Sequence, residues 1–249
     1  MRQIQALLLQ EMIQSLRRIY QEVLPVLFYG LFTFLGLVLG VKQLVPTIDG
    51  VVATDWLLPN LVMCGFIVFT YLEANRSVLD NYHAGYLRYL RSTAVYHWQL
   101  TGLFIGSAVL KAFFKMVILI LFYWVLLGGI GGVLGWVYFV LHSVPVGFFW
   151  AGLGLTVGLI SKDLLFNSTF FIAAMLPLLA ITGFCYPVEF YPGILKNISG
   201  ILPSTQAFEL GQAAFGIAQW SVEMLGGLFL WAIVGFATSY FAMEREMKA

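Results

Sequence analysis

Apolar residues occupy most of this chain in long runs that contain no Asp, Glu, Lys or Arg. A helix needs about 20 apolar residues to cross a bilayer, and only helices and closed barrels satisfy every backbone polar group there. The pattern therefore predicts an all-α, polytopic membrane protein with a single membrane domain over residues 1–249. The runs are residues 23–41, 56–72, 116–161, 164–188 and 224–243.

The longest run, residues 116–161, is long enough for two crossings. It contains a glycine-rich stretch at 128–135, which favours a tight connection over a continuous helix. A packing face of the small-xxx-small type is the alternative interpretation of these glycines. With this division, the pattern predicts six transmembrane helices within residues 23–243 and a cytoplasmic tail at 244–249.

An even number of crossings places both termini on the same side of the membrane. Only Lys42 and Lys196 fall on the opposite side, while Lys111 and Lys115 begin the third crossing and are expected to snorkel to the terminus side. By the positive-inside rule, both termini are predicted to be cytoplasmic. The basic residues on the terminus side are Arg2, Arg17, Arg18, Arg76, Arg88, Arg91, Lys162, Arg245 and Lys248.

Residues 1–22 place apolar positions at helical spacing against glutamines and arginines. This predicts an interfacial amphipathic helix along the cytoplasmic membrane surface, with a solvated lead-in as the alternative. Composition agrees with a membrane protein, because 61% of the residues are hydrophobic and only 10% are charged. The net charge of +1 gives no basic block for nucleic acid. Cys64 and Cys185 are expected to be small buried hydrophobic residues.

Two segments between the runs differ from simple connections. Residues 73–100 mix charged residues with aromatic ones, a composition suited to a cytoplasmic docking site for a soluble partner. An anchor at the lipid headgroups is the alternative. Residues 189–223 are apolar but interrupted by prolines and glycines, which predicts extracellular re-entrant short helices that line or lid a conduit. An extracellular cap without a transport role is the alternative.

The sequence contains no signature of an enzyme. His83, His97 and His142 are too far apart for a HExxH pair, and neither a GxSxG elbow nor a GxxxxGK[ST] phosphate loop occurs. The chain is therefore expected to be no enzyme and to hold no cofactor or metal of its own. His142 lies inside a crossing, where it is either functional or satisfied by neighbouring hydroxyl or backbone groups.

Two stretches carry an ordered set of motifs. Residues 57–102 begin with a leucine-proline pair, continue through the polar segment and end on a glycine before the next helix. Residues 182–215 contain Gly-aromatic-x-x-Pro, then Glu-x-x-Pro, then a late proline. With these motifs in this order, and with topology and length that match over the whole chain, the sequence resembles the permease subunit of type 2 ABC exporters.

The resemblance implies partners that supply what this chain lacks. Two copies of a separate cytoplasmic ABC ATPase, which carry ATP and Mg²⁺, would dock at a coupling helix between helices 2 and 3. A second permease copy would complete a homodimer in the bacterial inner membrane. The expected coupling residues are Asp80, His83, Tyr86, Arg88 and Arg91, and the expected extracellular re-entrant residues are Pro187, Glu189, Pro192 and Pro203. Family members often carry an acidic residue in the coupling helix, where this chain has Tyr-Leu-Arg-Tyr at 86–89.

The expected function is to form the translocation path for an amphiphilic substrate, which would be a lipid, a drug or a lipid-linked saccharide. Aromatic rings on the first and fifth crossings suit such a substrate, and the same rings also suit simple lipid contact. These residues are Phe28, Tyr29, Phe32, Phe170 and Phe171. One alternative is a self-contained secondary carrier, which would need carboxylates within its spans or repeated halves. The other is a non-transporting scaffold subunit.

Overall fold

The computed structural model describes residues 19–48, 50–91, 96–127, 132–184 and 186–248. Helices form nearly all of this part of the chain. Residues 1–18, which make up most of the predicted interfacial helix, lie outside the described residues, as does Cys185. Cys64 is described and is buried, as expected.

The helices follow one another with short connections. The first half contains α1 (Ile19–Thr33), which continues through a π-helical turn (Phe34–Leu39) into α2 (Gly40–Leu44), and then α3 (Ala53–His83), α4 (Tyr86–Arg91) and α5 (His97–Leu127). The second half contains α6 (Val133–Ser161), α7 (Leu164–Phe170), a second π-helical turn (Phe171–Met175), α8 (Leu176–Ala180), a 3₁₀ turn (Val188–Phe190), α9 (Gly193–Ile201), α10 (Pro203–Ala213) and α11 (Val222–Lys248).

Five helical stretches of the described chain are long and apolar enough to cross a membrane. They coincide with five of the predicted crossings and confirm an all-α, polytopic architecture. The predicted fifth crossing, 164–188, is helical only from Leu164 to Ala180 and is shorter than the others. The five stretches are Glu22–Leu44, Ala53–His83, His97–Leu127, Val133–Ser161 and Val222–Lys248.

Helix α3 is the centre of the bundle. It packs against α5, α6 and α10, and 89% of its most apolar window is buried. Its 31 residues extend over about 46 Å, which exceeds the ~30 Å of a bilayer's hydrocarbon core. The helix therefore continues through residues 73–83, which the charge pattern assigned to a connecting segment.

Glycines let α6 pack closely between α3 and α11. A Cβ on Gly152 would overlap backbone atoms of Gly235 in α11, and a Cβ on Gly235 would lie 2.7 Å from the Cα of Phe149. A Cβ on Gly154 would overlap the backbone oxygen of Tyr71 in α3. Small residues at helix contacts are the usual means by which membrane helices bring their backbones together. Helix α6 is thus held on both sides by backbone contacts.

A short β-ribbon between α2 and α3 is not predicted by the sequence pattern. Strand β1 (Thr47–Ile48) pairs antiparallel with β2 (Val51–Val52). Gly50 in the turn has a φ of +77°, which residues with a Cβ rarely adopt. The ribbon brings β2 to the N-terminal end of α3.

The short helices predicted within residues 189–223 are present as α9 and α10. Pro192 directly precedes α9 and Pro203 is the first residue of α10, where a missing N–H breaks no helical hydrogen bond. Helix α10 is mostly buried against α3, α6 and α11. The Ser199 hydroxyl of α9 donates a hydrogen bond to the Ile181 carbonyl oxygen at 2.7 Å, which connects α9 to the end of α8.

Candidate functional site

Helix α4 lies where α3 ends and α5 begins, at a part of the bundle that we call the α4 end. Gly85, with a φ of +72°, separates α4 from α3. Leu87 and Leu90 are buried in the core, whereas Tyr89 is 59% exposed. Helix α4 is therefore a short helix with one buried apolar face and one open face.

The predicted coupling residues lie together at the α4 end. Asp80 and His83 are exposed on the last turn of α3, and Tyr86 is half-buried at the start of α4. The Asp80 carboxylate forms an ion pair with Arg76, one turn earlier on α3. Arg88 and Arg91 belong to α4, but their side chains lie outside the described part of the structure. The role of these five residues remains a prediction.

A buried ion-pair triad connects three helices inside the same half of the bundle. Lys115 of α5 forms ion pairs with Glu73 of α3 and with Glu22 of α1, the latter at 2.5 Å between Nζ and Oε2. Lys115 and Glu73 are each only 6% exposed. The expectation that Lys115 snorkels to the surface is therefore wrong, because two carboxylates hold its ammonium group inside. Glu73 likewise belongs to the interior and not to the polar surface.

A second ionic contact joins three helix ends at the α4 end. Lys162, which follows α6 with a left-handed φ of 53°, pairs with Glu246 of α11 at 2.6 Å. Its ammonium nitrogen also lies 4.9 Å from the centre of the Tyr82 ring of α3, a cation–π distance. The C-terminal ends of α3, α6 and α11 therefore lie on the same side of the bundle.

The opposite end of the bundle contains a cavity of about 350 Å³. Its wall combines apolar side chains with a few polar ones, and the surrounding elements are β2, α3, α10, the start of α11 and residues 182–189. Helix α10 contributes residues at spacings of three and four, which share one face of a helix. These α10 residues are Thr205, Phe208, Glu209 and Gln212.

The four predicted re-entrant residues divide into two groups. Pro187 and Glu189 line the cavity. Pro192 and Pro203 do not line it, and instead they start α9 and α10. Glu209 also lines the cavity, and it is not among the site residues predicted from the sequence. Glu189 lies on a different element from Glu209, and no sequence motif indicates that the two carboxylates line the same cavity.

Burial raises the pKa of Glu209 above its ordinary value, and the neighbouring carboxylate of Glu189 raises it further. The folded protein therefore holds this proton more tightly than the unfolded chain does. The free energy of unfolding should fall as the pH rises from the ordinary carboxyl range through the raised pKa.

We expect Glu209→Gln to remove this pH dependence, because the amide carries no titrating proton. Thermal unfolding of the purified protein in neutral detergent, followed between about pH 4 and pH 8, measures the effect. The variant should gain stability relative to the wild type on the alkaline side only. Glu223→Gln is the matched control, since Glu223 is exposed on α11 and does not line the cavity. Equal gains in both variants would contradict the assignment.

The aromatic residues predicted for a substrate path do not converge. Phe28 and Phe32 are exposed on the outer face of α1, with ring centres 6.4 Å apart. Tyr29 turns inward and donates a hydrogen bond to a backbone carbonyl of α3 at 3.0 Å. Phe171 packs on an α3 tyrosine with ring centres 5.3 Å apart, and Phe170 is half-buried nearby. These residues therefore form no common channel within one chain.

His142 has one ring nitrogen bonded to the backbone of its own helix, whereas its Nε2 is buried without a hydrogen-bond partner among the described residues. It is 3% exposed, and its Nδ1 lies 2.8 Å from the Tyr138 carbonyl oxygen. The ring packs edge-on against Phe139 and Trp220 and does not line the cavity. The backbone therefore satisfies only one of the two ring nitrogens, and a functional role of His142 stays a prediction. Across the described residues, no group of three or more His, Cys, Asp and Glu side chains is placed to hold a metal ion.

The helical membrane architecture agrees with a known family. Residues 2–216 match the family model of the ABC-2 type transporter. The chain belongs to the ABC-2 type transporter family. No curated protein matches the sequence. This ABC-2 permease is therefore an integral membrane protein and a transmembrane permease of the ABC transporter type.

Membership of the ABC-2 family makes the α4 end a candidate site for contact with a partner protein. ABC-2 permeases typically work with an ATPase partner, and a partner of that kind needs a surface on the permease. Helix α4 has such a surface, because its leucines are buried in the core and its opposite face is exposed. In this ABC-2 permease, the candidate sites are therefore the α4 end and the cavity at the opposite end.

Proposed function

We propose that this ABC-2 permease forms the translocation path of an ATP-driven exporter in the bacterial inner membrane. Two copies of a cytoplasmic ABC ATPase supply ATP hydrolysis with Mg²⁺, and a second copy of the permease completes the path. The cargo is an amphiphile, such as a lipid, a drug or a lipid-linked saccharide. The chain itself performs no catalysis.

Helix α4 is the observation that carries this proposal. Leu87 and Leu90 bury one face of α4 in the core, and α4 packs against α3, so a force on α4 acts on the most buried of the long helices described. Its open face presents Tyr89, and exposed Asp80 and His83 lie beside it. Tyrosine and arginine are favoured anchors of protein interfaces, and the segment supplies both. We therefore assign α4 as the coupling helix.

A six-span topology with cytoplasmic termini agrees with the contacts at the α4 end. The contacts of Lys162 place the ends of α3, α6 and α11 on one side, so the end of α11 lies beside the coupling helix. The apolar stretch Leu165–Ala180 leads from that side toward the cavity, which residues 182–189 help to line. We propose that this shorter stretch is the remaining crossing and that the cavity faces the extracellular side.

The exposed aromatic face of α1 supports a path that is shared between two copies. Phe28 and Phe32 do not face the interior of their own chain. A path lined by them therefore requires a second permease copy on the other side, and lipid contact is the competing explanation. Tyr29 has a structural role in either case, because it is bonded to α3.

Purification of the tagged permease from a host that also expresses its genomic neighbours tests the proposal. We expect an ATPase subunit to co-purify with vanadate-sensitive ATP hydrolysis. A permease that purifies alone and without ATPase activity would refute the exporter proposal and favour a secondary carrier or a scaffold subunit.

The double variant Arg88→Ala/Arg91→Ala tests the coupling helix itself. We expect the amount of co-purified ATPase to fall about tenfold, because the loss of ~1.4 kcal/mol at an interface anchor corresponds to that factor. Membrane insertion should not change. Lys42→Ala/Lys196→Ala is the matched control, since it removes two positive charges from exposed positions on α2 and α9. Wild-type levels of ATPase with the α4 variant would exclude both arginines from the docking surface.

A further inference from the structure

The cavity opposite the α4 end carries negative charge that its own wall does not neutralise. Glu189 and Glu209 line it, and of its lining residues in the described chain none is Lys, Arg or His. Glu189 is exposed at the rim, while Glu209 is partly buried on α10. A carboxylate that is partly removed from water is stabilised by a positive partner. The cavity therefore favours a cation over a neutral or anionic molecule.

Gln212 provides a second polar feature that points to a ligand. It lines the cavity, is only 8% exposed, and its side-chain amide makes no hydrogen bond with any described residue. Its amide atoms are not among the buried unpartnered polar atoms of the described residues, so they are accessible from the cavity and can bond a water molecule or a ligand there. Gln212 lies three residues after Glu209 on α10, and both side chains therefore share one face of the helix. The amide oxygen can accept a hydrogen bond beside the carboxylate.

The apolar part of the wall determines what kind of cation fits. Trp56 and Phe208 are almost completely buried and line the cavity, where aromatic rings suit both hydrocarbon and a cationic group. A volume of about 350 Å³ lies within the range of small-molecule sites. A calcium or magnesium ion would need more oxygen ligands than two carboxylates supply, and such ions suit a polar wall. An organic cation matches the wall better than a bare metal ion.

We propose that this cavity binds a protonated amine attached to a hydrophobic body. The ammonium group lies between Glu189 and Glu209 and donates a hydrogen bond to the Gln212 amide oxygen, while the body packs against Trp56 and Phe208. Binding needs no ATPase, so this proposal goes beyond the proposed function and does not depend on it. The amine belongs either to a soluble molecule or to the headgroup of an aminolipid.

Isothermal titration of the purified permease with phenethylammonium, in the neutral detergent dodecyl maltoside, tests the site. We expect saturable binding of one probe per chain, and at least tenfold weaker binding of the neutral analogue 2-phenylethanol. Glu189→Gln and Glu209→Gln should each weaken phenethylammonium binding about tenfold, and Gln212→Leu should weaken it severalfold. Glu223→Gln, which removes an exposed carboxylate outside the cavity, should bind like the wild type.

Thermal unfolding and gel filtration confirm that each variant is folded before its titration is interpreted. Equal binding of phenethylammonium and 2-phenylethanol would overturn the proposal, as would unchanged binding in both glutamate variants. No saturation by phenethylammonium up to ~10 mM would overturn it too, because affinities weaker than that bring no more than about 3 kcal/mol. Phenethylammonium binding does not depend on whether an ATPase co-purifies with the permease. The two experiments can therefore refute the two proposals independently.

Competition distinguishes the two sources of the amine. Phosphatidylethanolamine added to the micelles carries a primary ammonium, whereas phosphatidylglycerol carries none. Displacement of phenethylammonium by phosphatidylethanolamine alone supports an aminolipid headgroup as the occupant. No displacement by either lipid, together with saturable phenethylammonium binding, supports a soluble amine. Equal displacement by both lipids would overturn recognition of the ammonium group.

Discussion

Lys115→Met is expected to destabilise the protein by about 3–5 kcal/mol, because it leaves two buried carboxylates without their cation. Lys115 holds Glu22 of α1 and Glu73 of α3 against α5, and Lys115 and Glu73 are almost completely buried. Methionine keeps most of the side-chain volume, so the effect reports the lost charge. Chemical unfolding in mixed micelles, followed by tryptophan fluorescence, measures the change in the free energy of unfolding.

Removal of the stranded carboxylates should restore much of this stability. The triple variant Glu22→Gln/Glu73→Gln/Lys115→Met leaves no buried charge at the triad, and replacement of a whole buried ion pair by neutral groups is often tolerated. Lys196→Met is the control, because Lys196 is exposed on α9 and belongs to no part of the triad, and its cost should stay below about 1 kcal/mol. Equal costs for the Lys196 and Lys115 variants, or no recovery in the triple variant, would show that the triad does not stabilise the fold.

Gly154→Ala and Gly152→Ala are each expected to lower the free energy of unfolding by about 2–3 kcal/mol. The new methyl group on residue 154 would overlap the backbone oxygen of Tyr71, and the one on residue 152 would overlap the backbone of Gly235. A flexible side chain could turn away from such a contact, but backbone atoms cannot. Helix α6 would therefore have to move away from α3 or from α11. The same unfolding measurement detects the loss.

The matched control for these variants is Gly106→Ala in α5. A Cβ on Gly106 would meet no other atom within 4 Å, so only the helix preference of alanine remains. That preference favours alanine over glycine by about 1 kcal/mol. We expect the control to be as stable as the wild type or slightly more stable. Comparable losses in all three variants would mean that the backbone contacts of α6 do not determine its packing.

The sequence pattern predicts the membrane architecture well because bilayer thickness imposes it. Charge-free runs locate five long helices, and prolines and glycines locate α9 and α10. The pattern is less informative at the end of a run. Residues 73–83 continue α3, since a helix does not stop where its hydrocarbon environment stops.

The functional features that the sequence does not predict all depend on contacts between distant segments. Glu73 and Lys115 are 42 positions apart, and both stand at the edge of an apolar run, where a charge is normally assigned to the surface. Only the packing of α1, α3 and α5 brings the three charges together. The cavity has the same origin, because Trp56, Glu189 and Glu209 come from three separate elements. Aromatic content alone also fails to locate a path, since Phe28 and Tyr29 are adjacent in sequence but face opposite ways.

Helix α3 extends from the cavity at one end of the protein to α4 at the other end. Trp56 in the cavity wall and Asp80 beside α4 belong to this one helix, about 36 Å apart along its axis. A stiff rod transmits an axial push over its full length, and interdigitated side chains restrict it to steps such as one turn of ~5.4 Å. If the proposed occupant of the cavity and the proposed ATPase at α4 favour different positions of α3, each changes the affinity of the other. Thermodynamic reciprocity then makes the two factors equal.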